Sequence, residues 1–286
     1  MPNLKEIRNR ISSVTSTMKI TSAIKMVSAA KLKKAQDAIT AMKPYSEKLN
    51  ELMASFSDVI SSSSISYLAS ERPVKKVLIV AIASNRGFCG AFNSNIIKQA
   101  KTIMSDQRFS SASFEFIVIG KKVNDILSKT ETISQNSSDI FDDLSYDSSS
   151  LIVDKIIEDF ADEKYDHVEM IYNSFKNAAN QIIKSEQFLP IVNNSSEETL
   201  QDYIFEPSME SIVSVLVPKS LKIQLFKALR DSFASEHGAR MTAMHKATDN
   251  ATELKDELVL TYNKARQAAI TNEILEIVSG AEALKG

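Results

Sequence analysis

Leu4, Ile7, Ile11, Val14 and Met18 follow one another at spacings of three and four residues. That spacing sets apolar side chains along one stripe of an α-helix and, repeated in heptads, along the seam of a coiled coil. In the same register the seam then falls on Thr21, Lys25 and Ser28, before Leu32, Ala35, Ile39 and Met42 resume it. Ile20, Ile24 and Val27 open a second apolar face beside the polar stretch. A helix that changes faces predicts more than one neighbour, and a local stutter in the coil gives the same pattern. With no glycine and only Pro44 to interrupt it, the segment predicts one helix from residue 3 to about 57.

The middle of the chain has a different period. After the serine-rich stretch Ser61–Ser66, expected as a linker, Val77–Ile82 is a continuous apolar run of the kind that suits a strand buried on both faces. A loop over Ser84–Asn93 precedes a helix from about Asn95 to Ser105. Phe114–Ile119 is the second strand, and a helix follows from Gly120 to about Lys129. Residues 134–149, rich in Ser, Asp and Asn, read as a loop, and Ser150 is the expected cap of a helix reaching Glu163. His167–Asn173 is the third strand, with Gln181–Leu189 and Tyr203–Glu206 as weaker ones. The β-α-β-α-β order predicts a mostly parallel sheet with helices on its faces.

From Ser208 onward the pattern is helical again, with a break or kink expected at Pro218 and interruptions at Gly238 and Gly280. Met244, Ala247, Ala251, Leu254 and Leu258 supply one seam, and Ile270, Ile274, Ile277, Ala281 and Leu284 another. Some sixty-five helical residues extend roughly 100 Å, against a radius of gyration near 19 Å for a compact domain of this size. The expected arrangement is therefore an antiparallel coiled coil of the two chain ends around an inserted α/β domain. Its boundaries are 1–60 for the N-terminal helix, 61–207 for the α/β domain and 208–286 for the C-terminal helix.

Composition sharpens this picture. Only six glycines and six prolines punctuate 286 residues, which fits long uninterrupted helices. Residues 1–56 hold ten Lys and Arg against four Asp and Glu, whereas residues 105–210 hold eight against twenty-one. A basic N-terminal segment suggests an acidic partner, nucleic acid or protein, or else two differently solvated faces. No run approaches the roughly 20 apolar residues of a membrane span. The N-terminus carries neither a signal segment nor a transit peptide pattern, and Cys89, the only cysteine, can form no internal disulfide.

Catalytic chemistry is hard to find. There is no G-x-G-x-x-G, no phosphate-binding G-x-x-x-x-G-K-[ST] and no G-x-S-x-G. Gly87 and Gly90 make only G-x-x-G, which could cradle an anion at the next helix but more simply makes a tight turn. His237 and His245 lie eight residues apart, not the four that place two zinc ligands on adjacent turns. His167 has no partner in sequence either. Arg86, three residues before Cys89, could lower its thiol pKa, but without a placed base the cysteine reads as structural. No catalytic residue, cofactor site or metal site is expected, and the α/β domain reads as a packing unit.

Three segments resemble the gamma subunits of F-type ATP synthases. They are Thr17–Gln36, Ser84–Asn93, and the stretch from Ala234-Ser-Glu236 through Arg240–Met244 and Ala247–Asn250 to Tyr262–Glu282. They lie at both ends and in the first βα turn, so the resemblance spans the chain. It implies a non-catalytic rotor shaft inside a ring of alternating alpha and beta subunits, whose beta subunits carry the catalytic sites. The α/β domain would be a foot bound to the epsilon subunit and to the membrane c-ring, which proton or sodium flow turns. Nucleic acid and direct nucleotide binding are not implied. The resemblance places the chain peripherally on the cytoplasmic face of a bacterial inner membrane.

The resemblance also assigns residues. Arg266 and Gln267 correspond to a basic and amide pair that grips an acidic beta loop, and Arg86 is a lesser candidate for a similar contact. Lys25 and Met26 sit where the N-terminal helix passes the same level. Phe205-Glu206-Pro207 resembles a Tyr-Glu-Pro segment of the foot, and Ile274, Ile277 and Leu284 would sit in an apolar sleeve. The departures are Ile24 for methionine, Asn272 for glutamine, Asn85 for aspartate before Arg86, and His237-Gly238, where a mid-helix glycine costs about 1 kcal/mol. A coiled-coil tether with a non-catalytic α/β head accounts for the helices but not for the three segments.

Overall fold

In the computed structural model, residues 4–56, 60, 63, 65–191, 206 and 208–283 are described. They form two compact units, one built from Ala29–Arg240 and one from the chain ends on either side of it.

The first unit is organised by β1 (Lys76–Ile82), buried at every position after Lys76. Such a strand needs partners on both edges and cover on both faces. β2 (Ser113–Ile119) pairs with it in parallel on one side and β4 (His167–Phe175) in parallel on the other. β3 (Thr132–Asn136) extends the sheet beside β2, also in parallel, and β5 (Gln181–Leu189) pairs antiparallel with β4. The strand order is β3-β2-β1-β4-β5.

Alternation along β1 divides the core. Val77, Ile79 and Ala81 meet Ile96, Ala100 and Ile103 of the helix α2 (Phe92–Met104) and Val123 and Leu127 of α3 (Lys121–Leu127). Leu78, Val80 and Ile82 face the other way, toward Ile152, Val153, Ile156 and Phe160 of α4 (Tyr146–Ala161). Phe56 and the run from Val213 to Leu229 complete that second layer.

Two local expectations fail here. The polar stretch expected as a loop over 134–149 holds the end of β3 and a short 3-10 turn over Ser138–Phe141. β3 is an edge strand carrying a single large apolar residue, Ile133, so its sequence shows no alternation. The cap of α4 is Ser145, not Ser150: its hydroxyl accepts from the Ser148 amide at 3.2 Å, while the Ser148 hydroxyl accepts from the Ser145 amide at 3.3 Å. This reciprocal pair satisfies two orphan donors of the first turn. Ser150 lies inside the helix and donates to the Tyr146 carbonyl.

The long helices are α1 (Leu4–Ser55) and α5 (Met209–Ala283). Pro44 and Pro218 lie inside them without ending them, so the break expected at Pro218 does not occur. Proline removes one N–H bond, and Val217 and Leu221 on either side of Pro218 are anchored in the core. In the unit of the chain ends the two helices run antiparallel. Thr21 pairs with Thr248 through hydroxyls 2.8 Å apart, Thr252 donates to the Met18 sulfur at 3.4 Å, and Glu6, Arg10 and Val14 border a groove with Leu254 and Leu258. The α1 seam keeps its register through the polar stretch, because Ile7, Thr21 and Ser28 are all buried. Ile20 and Val27, on the second face, are 60% and 58% exposed.

Candidate partner interface

In an open sheet with this strand order, the crevice beyond the carboxyl ends of β1 and β4 is where nucleotides bind in enzymes of the class. The chain fills that place with itself. After β1, the Ser84 hydroxyl donates to the Arg86 carbonyl at 2.7 Å, and the Asn93 side chain takes the Ser84 amide at 3.0 Å. This folds residues 84–91 back over the start of α2. Phe88 and Gly90 adopt left-handed φ of 62° and 60°. Gly90 tolerates that freely, whereas Phe88 does so under strain. Asn173, at the end of β4, donates to the Phe92 carbonyl, which closes the gap between the two strands.

The stretch 231–240 of α5 then seals the crevice. Arg240 donates through Nε to the Gly87 carbonyl at 3.1 Å, through Nη2 to the Arg86 carbonyl at 2.9 Å, and through Nη1 to Glu236 at 2.6 Å. Arg240 and Glu236 are both buried, as is Cys89, which packs with Phe92 and Ala239. Gly238 lets the helix lie on the β4–β5 turn: a Cβ there would stand 3.2 Å from Ala178 Cα and 3.3 Å from its carbonyl oxygen. The mid-helix glycine thus trades propensity for close approach.

Charges in this plug are set by burial. It raises the Glu236 carboxyl pKa, against the pull of Arg240. It also holds His237 down to about 3, with Arg240 and Lys31 pushing the same way. His237 Nδ1 faces Arg240 Nη1 at 3.5 Å and so acts as the acceptor, leaving Nε2 to carry the hydrogen. Burial raises the Cys89 thiol as well, and it outweighs the pull of Arg240. The lowering expected from Arg86 does not occur: that side chain is exposed to solvent, and the cation that acts on the thiol is Arg240. Asn85 bridges instead of serving Arg86: it donates to the Ser138 carbonyl at 2.9 Å and accepts from the Lys121 amide at 3.0 Å. Among the described residues no cluster of three His, Cys, Asp or Glu could hold a metal, and no helix is long and apolar enough to cross a membrane.

The residues assigned by resemblance are mostly surface. Arg266 and Gln267 are exposed on α5, as are Ile274 and Ile277 at 55% and 71%. The second C-terminal seam therefore has no partner among the described residues. Lys25 is half-buried and Met26 is 64% exposed. With Thr21 opposite Thr248, Lys25 falls near Met244. That is some twenty residues from Arg266, about 30 Å by helical rise, so the structure does not bring these two pairs together. Arg86 is exposed in the other unit, Glu206 is exposed, and Phe205 and Leu284 lie outside the described residues. Glu236 and Arg240 lie in the segments that carry the resemblance, but sequence reasoning gave them no role. Their four-residue spacing is the signal, but on an isolated helix it reads as a surface ion pair.

The ATP synthase family profile matches residues 3–284. The ATP synthase gamma chain of Christiangramia forsetii is 61% identical over 287 residues, covering 100% of each chain. The chain belongs to the ATP synthase gamma chain family. The gamma chain of Geobacter metallireducens, at 43% identity, also matches over 100% of both chains. Among solved structures, the central stalk and c-ring structure of the Tetrahymena thermophila mitochondrial ATP synthase matches with a TM-score of 0.60 and 26% identity, over 80% of this chain and 99% of that one. A Euglena gracilis mitochondrial ATP synthase structure shares the fold at a TM-score of 0.71 and 20% identity, over 98% of this chain and 94% of that one. For a gamma chain, a plugged crevice and exposed helical faces are the consistent pair: no chemistry inside, contacts outside.

Proposed function

We propose that this chain is the central rotor shaft of an F-type ATP synthase, a non-catalytic subunit that couples ion flow through the c-ring to nucleotide turnover on the beta subunits. Full-length identity to gamma chains carries the reading, and the self-filled crevice explains why the α/β unit needs no ligand. Its partners are the alpha and beta subunits, the epsilon subunit and the c-ring. It is part of a membrane-bound complex, and the cytoplasmic face of a bacterial inner membrane is the placement we favour. In this reading residues 1–60 and 208–286 act as the shaft and 61–207 as the foot. The tether alternative is not favoured by the gamma chains that match over their full length. Co-expression with alpha and beta subunits should give a complex that hydrolyses ATP, and pumps ions once joined to the c-ring. A chain that fails to enter that complex would overturn the reading.

The grip on the beta subunits is assigned to Arg266 and Gln267, with Arg86, Lys25 and Met26 as further contacts, Phe205 and Glu206 as partner contacts of the foot, and Ile274, Ile277 and Leu284 in the sleeve. Arg266 offers a planar fork to carboxylates, and a partly dry contact of this kind is worth about 1.5–3 kcal/mol. Arg266→Ala with Gln267→Ala should lower ATPase rate or complex yield about tenfold, as ~1.4 kcal/mol gives, with the circular dichroism of the free chain unchanged. Parental turnover and pumping in that double variant would place the grip elsewhere.

A further inference from the structure

Between the end of α4 and the segment that leads into β1 lies an open cleft of about 660 Å³. Ser66, Tyr67, Ser70 and Arg72 line it from that segment, and Ala161 and Glu163 from the end of α4. All belong to the first unit. The Arg72 guanidinium is fixed in the wall on its face and on one edge. Its central carbon sits 4.6 Å from the centre of the Phe160 ring, and Nη2 donates to the Phe160 carbonyl at 3.0 Å. The other nitrogen of the fork, Nη1, is shielded from solvent and has no hydrogen-bond acceptor among the described residues. Its ion-pair partner, Glu163 Oε1, stands 3.6 Å away, too far for a hydrogen bond. That carboxylate is 77% exposed, on a residue held at a left-handed φ of 56°. A shielded charged donor with its bond unmade is unfavourable, and so is a left-handed residue other than glycine. The two features meet at one point of the cleft.

We propose that this cleft is a site for a phosphate group, in which Arg72 Nη1 donates to a phosphate oxygen and Glu163 is a built-in competitor that swings into solvent when the ligand enters. A guanidinium already oriented by stacking and by a carbonyl suits an oxoanion, because the entropy of aiming it is spent in the free chain. Tetrahedral phosphate fits better than a second planar carboxylate. Ser66, Tyr67 and Ser70 bring hydroxyl-bearing side chains to the same cleft, and phosphate oxygens point toward several walls at once. The volume falls in the range of small-molecule sites, so it admits a free phosphate or the headgroup of a phospholipid. The site does not rest on the rotor reading.

Isothermal titration of the full-length chain at constant ionic strength tests this. Inorganic phosphate should bind with a millimolar Kd, and acetate should not compete for it. Arg72→Gln should abolish the binding. Glu163→Gln should tighten it about tenfold, the ratio that ~1.4 kcal/mol of relieved competition gives, and this variant decides the matter if Arg72→Gln does not fold. Absence of binding in both the parent and Glu163→Gln, or an affinity indifferent to the two substitutions, overturns the proposal. Equal competition by acetate overturns the choice of phosphate. Flotation with vesicles of phosphatidylglycerol in phosphatidylcholine separates the two sources. Retention that rises with Glu163→Gln and falls with Arg72→Gln assigns the site to a headgroup, and retention blind to both assigns it to free phosphate.

Discussion

Gly120 is the position where a single methyl group should cost most. It joins β2 to α3 at a φ of 130°, a region where a side chain is strained whatever the space. Space is also lacking: a Cβ would lie 2.6 Å from the Ala83 carbonyl carbon, 2.8 Å from its oxygen and 3.0 Å from the Ser84 nitrogen. These are backbone atoms, and they cannot yield separately. Ala83 N donates to the Ile119 carbonyl at 2.7 Å, Lys122 N to the Ser84 carbonyl at 3.1 Å, and Gly120 N to Ser138 Oγ at 3.2 Å. Backbone strain costs about 1–3 kcal/mol and overpacking about 1–3 more, so Gly120→Ala should lose about 4 kcal/mol of a total near 5–15. Urea unfolding followed by circular dichroism reads this as a lower midpoint. Gly87→Ala is the control, because a Cβ there meets nothing within 4 Å, and its midpoint should stay within about 0.5 kcal/mol of the parent. A parental midpoint for Gly120→Ala, or an equal fall for both variants, would show that neither strain nor crowding governs this turn.

Two further outcomes are expected. His237 titrates near 3 in the fold and near 6.5 when unfolded, so below pH 6.5 the unfolded chain takes up a proton that the native chain refuses. Stability should therefore drop as pH falls, by about 1.4 kcal/mol per unit relative to His237→Gln, and urea midpoints of the two chains that stay parallel from pH 7 to 5 would contradict this. Glu163 holds a left-handed φ of 56° where α4 ends, with its amide on Phe160 and that of Lys164 on Asp159, a closing motif that glycine serves best. Its ion pair with Arg72 is 3.6 Å long, with the carboxylate side chain 77% exposed and the arginine 18%, so Glu163→Gly should raise the midpoint by about 0.5–1 kcal/mol, and a fall would show that the half-buried Arg72 depends on it.

What could be read in the sequence followed from how much a residue's neighbours in the chain decide. β1 declared itself because six consecutive buried positions leave no polar residue to confuse the period. β3 stayed hidden because an edge strand with polar residues on both faces has no period, and only its pairing with β2 makes it a strand. Thr21 and Ser28 looked like a gap in the seam, but a hydroxyl can fill a seam position once Thr248 stands opposite, and that partner lies 227 residues away. The same distance hid Arg240, whose two carbonyl partners are 153 and 154 residues upstream. The exposed residues Arg266, Gln267, Ile274 and Ile277 were legible through family resemblance alone, since a helix face completed by another subunit carries no signal that its own chain can resolve.

The strand order of the α/β unit belongs to an architecture in which the first βα turn usually serves a ligand. Here the same turn serves the chain. A phosphate loop needs glycines so that amides can point outward at an anion. This loop turns two carbonyls toward the buried guanidinium of Arg240 instead. Converting it into a phosphate site would leave Glu236 buried without its cation, a loss on the order of 3–5 kcal/mol. The plug is therefore a commitment: the crevice that would bind a nucleotide has become the joint between the first βα turn and α5, and the chain keeps its surface free for protein partners.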